Sequence, residues 1–157
     1  MNALFIIALA PAFAWLWVKL GPREPSSPAK FVLGLLAAVL GFAVLALAAM
    51  KAVGGAQVSP LWLVVVYLLH TVGELCLSPV GLSAMTKLAP ARIGSLLMGV
   101  WFLSLSLGNY LGGRIASMYE SLALPALFAV IAAFGIGAGL VLSLFVKSTK
   151  KLMGVVK

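Results

Sequence analysis

Residues 31–50 read FVLGLLAAVLGFAVLALAAM, twenty consecutive residues without a charged side chain. A helix of about 20 apolar residues is long enough to cross the hydrocarbon core of a bilayer. The whole chain of 157 residues has the same character, since 64% of its residues are hydrophobic and 9% are charged. Soluble domains carry about a quarter charged residues. The chain is therefore expected to lie in a membrane, with lipid as its outer solvent.

Charged residues and Pro/Gly clusters on either side of this stretch divide the chain into five apolar segments. Helices are favoured over a β-barrel because the apolar runs are about twice as long as a barrel strand and lack alternation. The sequence predicts an all-α membrane protein with five transmembrane helices in one domain, at 3–18, 31–50, 61–86, 93–113 and 122–146. The second segment has no polar residue, so we expect it at the lipid-facing periphery.

Basic residues predict the orientation of these segments. Nine of the 11 Lys and Arg residues fall in the linker 19–30, in the turn near residue 90 and in the tail 147–157, whereas only Lys51 and Arg114 lie at the opposite ends of the segments. By the positive-inside rule, the linker and the tail are cytoplasmic and the N-terminus is outside, in the plasma or inner membrane of the cell. The net charge of +8 then reflects topology and contact with the lipid bilayer, and no nucleic-acid partner is expected.

Glu74 is the acidic residue that lies deep inside an apolar segment. A carboxylate at this depth costs several kcal/mol unless it is neutralised, paired or turned toward a cavity. Tyr67, His70, Thr71 and Ser78 share its face at helical spacing. The pattern predicts a site at which Glu74 binds a cationic group or exchanges a proton with it. The alternative is a structural ion pair with a basic residue elsewhere in the bundle.

Other residues near Glu74 allow weaker predictions. His70 either tunes the proton affinity of Glu74 or is a neutral ring bonded to a neighbouring helix. Pro79 removes the backbone hydrogen bond to the carbonyl of Leu75, so a bend is expected one turn beyond Glu74. Trp101 lies deeper in its segment than an interfacial residue usually does, so a cavity wall is favoured over a lipid anchor. No metal or cofactor is expected, and the single cysteine, Cys76, forms no intrachain disulfide.

The third and fourth segments carry a family resemblance. Residues 67–83, YLLHTVGELCLSPVGLS, closely resemble the tenth transmembrane helix of proton-dependent oligopeptide transporters, the POT/PTR family of the major facilitator superfamily. The similarity continues through residues 86–90 and then through residues 98–109, which resemble the family's eleventh helix. Asn2 and the apolar run after it resemble the start of the eighth helix, although Ala3 stands where the family usually has proline. The resemblance implies that the chain comprises about helices eight to twelve, part of the C-terminal half of the major facilitator fold.

The resemblance also implies a function, proton-coupled uptake of di- and tripeptides. In that family the position of Glu74 meets the amino terminus of the peptide and takes part in a salt bridge with the N-terminal half, and the positions of Asn2, Ser78, Trp101 and Phe102 line the pocket. Tyr67 and His70 would tune Glu74. Family members have twelve core helices in two halves, so this segment is not expected to be active without the missing N-terminal helices or a complementary polypeptide. Its short length would reflect a truncated gene, a partial sequence or a split protein.

Two other functions are compatible with the sequence. One is a five-span membrane interaction protein that has lost peptide transport, and the other is a major facilitator relative for another cargo, such as nitrate. An enzyme is not expected, because no oxyanion-forming loop or metal-ligand set accompanies His70, Glu74 and Ser78.

Overall fold

The computed structural model describes residues 1–90, 92–120 and 122–153. Within these residues, five long helices follow one another, joined by short loops and two 3₁₀ turns. The helices are α1 (Asn2–Leu20), α2 (Ser27–Val53), α3 (Leu61–Leu88), α4 (Gly94–Ala116) and α5 (Leu124–Met153). All five are long and apolar enough to cross a membrane. The predicted all-α membrane fold is confirmed.

The helices are longer than the apolar segments read from the sequence, and the link between α1 and α2 is shorter than the linker 19–30. Gly21 ends α1 with a φ of +46°, a left-handed conformation that favours glycine. The next helix begins at Ser27, with Pro28 in its first turn, where the missing N–H of proline removes no helical hydrogen bond. Helix α3 ends at Leu88, and the next residue, Ala89, is extended, as the residue before a proline prefers. Residues 154–157 of the basic tail lie outside the described residues.

Helix α2 packs against both α3 and α5. Small residues make this possible: a Cβ atom added to Gly73 of α3 would lie 2.8 Å from the carbonyl oxygen of Gly34, and one added to Gly135 of α5 would lie 2.6 Å from Cγ2 of Val39. Other side chains of α2 remain exposed, among them Leu36 at 47% and Leu40 at 55%, so α2 packs through one face and the expected position of the second segment at the lipid-facing periphery stays a prediction. Absence of polar groups does not separate lipid contact from helix contact, whereas a face of small residues predicts close helix packing.

The first and fourth helices are less enclosed than the other three. Neither α1 nor α4 has a buried residue in the part of the chain that the structure describes. A Cβ atom added to Gly108 or Gly112, which form the GxxxG pattern of α4, would meet nothing within 4 Å. The pattern permits close helix approach, but no described helix uses it.

A buried charge ties the start of α2 to the end of α1. Lys30 is 7% exposed, forms an ion pair with Glu24, and places Nζ 4.5 Å from the centroid of the Trp17 ring. The carboxylate and the aromatic face together compensate for the loss of water around the ammonium group. This arrangement fixes the entry of α2 beside α3, on which Glu74 lies.

Candidate functional site

Glu74 projects from the middle of α3 and is exposed. Its Oε2 accepts a hydrogen bond of 3.0 Å from Nδ2 of Asn2, at the start of α1. Among the described residues, the ion pair of Lys30 with Glu24 is the only salt bridge. The carboxylate of Glu74 therefore has a neutral donor and no cationic partner in this part of the chain. A structural ion pair within the described helices does not account for Glu74.

Thr71 links Asn2 to α3 one turn before Glu74. Its side chain is 0% exposed, and its Oγ1 lies 2.6 Å from Oδ1 of Asn2 and 2.7 Å from the carbonyl oxygen of Tyr67. Sequence reasoning placed Thr71 on the polar stripe but gave it no role. The spacing of Thr71 and Glu74, three residues apart on one helix face, was the signal that both can reach one side chain of a neighbouring helix.

A cavity of about 420 Å³ opens beside Glu74, between α2, α3 and α4. Helix α3 contributes the imidazole, carboxylate and hydroxyl groups of the lining, and aromatic and aliphatic side chains form the other walls. Its lining consists of Phe31, Ala38, Phe42, His70, Gly73, Glu74, Leu77, Ser78, Trp101 and Leu105. Three of the sequence-predicted residues of the peptide site, Glu74, Ser78 and Trp101, are thus brought together at one cavity. An apolar space with a few converging polar groups is the usual character of a small-molecule site.

Trp101 is held at this cavity by a glycine of α3. A Cβ atom added to Gly81 would lie 2.1 Å from Cη2 of the indole, so the ring lies directly on the glycine backbone. Any larger residue at position 81 would push the ring away. The pairing of Gly81 with Trp101 is what joins α4 to the wall of the site.

His70 lies at the same cavity, one turn before Glu74. Its ring centroid is 4.8 Å from that of Phe42 of α2. The buried Nε2 has no hydrogen-bond partner among the described residues. A Cβ atom added to Gly41 would lie 2.3 Å from Nε2 and Cδ2. The ring of His70 therefore packs closely against α2, and both of its predicted roles, tuning Glu74 and bonding to a neighbouring helix, stay predictions.

Four of the remaining predicted residues do not line this cavity: Asn2, Tyr67, Phe102 and Pro79. Phe102 is 56% exposed and Tyr67 is 41% exposed, and neither side chain belongs to the lining. Pro79 faces a second cavity of about 830 Å³ on the side of α3 that meets α1 and the start of α2, together with Trp17 and Lys30. Helix α3 continues through Pro79 to Leu88, so the proline does not end the helix.

The five apolar helices and the polar site among them define an integral membrane protein. Comparison with known proteins supplies the family. Residues 1–134 match the family model PTR2, described as the POT family. The chain belongs to the POT family, and the resemblance read from the sequence is confirmed at this level.

Individual relatives agree with this assignment. The chain is 48% identical over 160 residues to "Peptide transporter YePEPT" of Yersinia enterocolitica subsp. palearctica serotype O:3 (strain YE-P4), covering 98% of this chain and 31% of the relative. It is 38% identical over 157 residues to "Di-/tripeptide transporter" of Lactococcus lactis subsp. lactis (strain IL1403), covering 100% of this chain and 32% of that one. Both relatives are named as peptide transporters.

A solved structure gives the same result for the fold. The crystal structure of peptide transporter POT in complex with sulfate superposes with a TM-score of 0.88 at 45% identity, covering 97% of this chain and 31% of that chain. The chain thus spans about a third of the length of the relatives that it matches.

Proposed function

We propose that this chain forms the part of a proton-coupled peptide transporter that binds the amino end of di- and tripeptides, with Glu74 as the carboxylate that receives the peptide ammonium group. The observation that carries the proposal is an exposed carboxylate at a cavity wall, with a neutral donor as its only hydrogen-bond partner among the described residues. A carboxylate in a medium of low dielectric attracts a nearby cation much more strongly than it does in water. The names of the relatives, a peptide transporter and a di-/tripeptide transporter, support the same cargo.

The other predicted residues then have defined roles. Asn2 orients the Glu74 carboxylate, Ser78 offers a hydroxyl at the cavity, and Trp101 and Phe102 form walls that accept varied peptide side chains. His70 and Tyr67 adjust the proton affinity of Glu74, and Pro79 bends α3 beyond it. Phe102 is exposed on α4 in the described chain, so its place at the pocket requires that the rest of the transporter meets that face.

The proposed topology places α1 to α5 as helices eight to twelve of a major facilitator fold. The N-terminus is outside, and the linker 19–30 and the tail 147–157 are cytoplasmic. In such a transporter the substrate lies between two helical halves, which rock to expose it to either side. Transport therefore requires the N-terminal helices, supplied within the same polypeptide or by a partner.

A chimera provides the test. In it, this chain replaces the matching 31% of the Yersinia relative, and uptake of labelled dialanine into cells is driven by a proton gradient. We expect uptake by the chimera, a loss of at least about tenfold in Glu74→Gln because a hydrogen bond to a charged group is worth about 1.5–3 kcal/mol, and partial activity in Glu74→Asp. A folded Glu74→Gln chimera with unchanged uptake would refute the role of Glu74.

A membrane interaction protein is the second candidate. It is supported by the absence of buried residues on α1 and α4 within the described chain, because such faces suit a partner helix. Purification of the chain from its native membrane distinguishes the two. A stable partner together with no dialanine-dependent thermal shift would favour this function, whereas a thermal shift would favour peptide transport. A shift with a nonpeptide anion alone would favour another cargo.

A further inference from the structure

Four groups on α1 and α3 form a continuous hydrogen-bonded chain. Asn2 Nδ2 is 3.0 Å from Glu74 Oε2, Asn2 Oδ1 is 2.6 Å from Thr71 Oγ1, and Thr71 Oγ1 is 2.7 Å from the carbonyl oxygen of Tyr67. The chain begins at a titratable carboxyl group and ends at a backbone acceptor inside a helix. Thr71 is 0% exposed, so water does not substitute for either of its neighbours.

The hydroxyl of Thr71 faces two acceptors with one proton. Both distances, 2.6 and 2.7 Å, are those of a full O–H···O hydrogen bond. A hydroxyl donates one strong bond at a time and accepts others through its lone pairs. The hydrogen of Thr71 therefore has two good positions, one toward Asn2 and one toward Tyr67. The carbonyl of Tyr67 keeps its helical partner, the N–H of residue 71, in either case.

The amide group of Asn2 can also be placed in two ways, because it carries a donor at one end and an acceptor at the other. With Glu74 ionised, Asn2 Nδ2 donates to the carboxylate, and Thr71 donates to Asn2 Oδ1. With Glu74 protonated, the carboxylic acid donates to Asn2 Oδ1, the turned Nδ2 donates to Thr71 Oγ1, and Thr71 donates to the Tyr67 carbonyl. Each of the three contacts in the chain therefore joins one donor to one acceptor in both arrangements.

We propose that the hydrogen bonds between Glu74, Asn2, Thr71 and the Tyr67 carbonyl reverse their direction when Glu74 gains or loses a proton. Thr71 is then a positioning residue that acts on Glu74 through Asn2. The inference rests on the proposed function of Glu74. The proton comes from solvent and remains on the carboxyl group, while the Asn2 amide turns about its Cβ–Cγ bond and the Thr71 hydroxyl turns about its Cβ–Oγ bond. Both charge states of Glu74 are thereby satisfied without movement of a helix.

Few other titratable groups face this chain. Helix α3 contributes His70 and Tyr67, and α1 contributes the α-amino group of Met1, next to Asn2. The residues of α2 and α4 that line the Glu74 cavity are uncharged. A chimera replaces the Met1 amine by a peptide bond, which removes this charge from beside Asn2.

Infrared difference spectra between acid and alkaline buffers test the reversal directly, in the chimera reconstituted without peptide. Glu74→Gln identifies the carboxylic acid band of Glu74, and Asn2→Leu identifies the side-chain carbonyl band of Asn2. Reversal predicts that the Asn2 carbonyl band moves to lower frequency on acidification, because its donor changes from a hydroxyl to a carboxylic acid. An Asn2 band that stays fixed while the Glu74 acid band appears would overturn the proposal.

Variants of Thr71 test its part. Thr71→Val removes the hydroxyl at similar volume, and Thr71→Ser keeps it. In Thr71→Val, we expect the Asn2 carbonyl band in alkaline buffer to move to higher frequency. We also expect the affinity for dialanine to fall about fivefold, the effect of one hydrogen bond. In Thr71→Ser, the affinity should recover to within about twofold of the wild-type value. Thr86→Val is the matched control, since the Thr86 hydroxyl bonds backbone carbonyls of the same helix, 3.0 Å from that of Ser83.

The two proposals fail in different ways. The spectra need no peptide, so an unchanged dialanine uptake in Glu74→Gln refutes the proposed function and leaves the spectral shift to be observed. Equal effects of Thr71→Val and Thr86→Val on the Asn2 band would refute the role of Thr71, whatever the uptake. If Thr71→Val does not fold, Thr71→Ser and the difference between the acid and alkaline spectra of the wild type still test the same hydrogen bonds.

Discussion

Replacing Gly81 with alanine places a methyl group inside the volume of the Trp101 ring. The new Cβ atom would lie 2.1 Å from Cη2, 2.7 Å from Cζ3 and 2.8 Å from Cζ2. Nonbonded carbon atoms are about 3.5–4.0 Å apart at their energy minimum. Because Cη2 would be only 2.1 Å from the new Cβ atom, the ring must move away by about 1.4 Å or more. Overpacking of this kind costs about 1–3 kcal/mol. The displaced ring also changes the wall of the cavity beside Glu74.

The assay is thermal unfolding and dialanine binding of the purified chimera. We expect Gly81→Ala to lower both the unfolding temperature and the affinity, and the double variant Gly81→Ala/Trp101→Phe to regain stability, because the smaller ring leaves room for the methyl group. Gly139→Ala is the matched control: its Cβ atom would lie 4.0 Å from Cβ of Leu35, an ordinary contact. Equal stability of Gly81→Ala and Gly139→Ala would refute the contact between α3 and α4 from which the site is built.

Two further substitutions test the packing that supports the site. Glu24→Gln leaves the ammonium group of Lys30, 7% exposed, without its carboxylate, and removal of one partner of a buried pair costs about 3 kcal/mol or more; an unchanged unfolding temperature would contradict the buried ion pair. Gly135→Ala places Cβ 2.6 Å from a methyl group of Val39, and we expect it to lower the free energy of unfolding by about 1–3 kcal/mol. Gly139→Ala, in the same helix interface, is expected to leave the unfolding temperature nearly unchanged.

The sequence was sufficient for the helices and for the family, because long uncharged runs separated by Pro/Gly clusters allow few other structures. It was not sufficient for the packing of α2. Residues 31–50 carry no polar group, and a hydropathy reading treats lipid and protein contact alike. The close approach of Gly34 to Gly73 was not recognised because it depends on two glycines in different segments that face each other only after folding.

For the site as well, the sequence predicts which residues share a helix face but not the contacts between residues that are far apart in the chain. Helical spacing placed Glu74, His70 and Ser78 on one face, and the structure brings all three to one cavity. The role of Thr71 is not visible in the sequence, because its partner, Asn2, is 69 residues away. Nor does the sequence indicate the role of Gly81, because a glycine without a side chain gives no sign of the ring that lies on it. Phe102 was assigned to the pocket by resemblance alone, and the described helices leave it exposed.

Recognition of a peptide amino group by the Glu74 carboxylate is measured by a thermodynamic cycle. Dissociation constants are determined for dialanine and for N-acetyl-dialanine, with the wild-type chimera and with Glu74→Gln. We expect the wild type to prefer the free amine by at least about tenfold and Glu74→Gln to lose most of this preference, a coupling of about 1.4 kcal/mol or more. A preference that is the same in both proteins would show that the ammonium group is bound elsewhere.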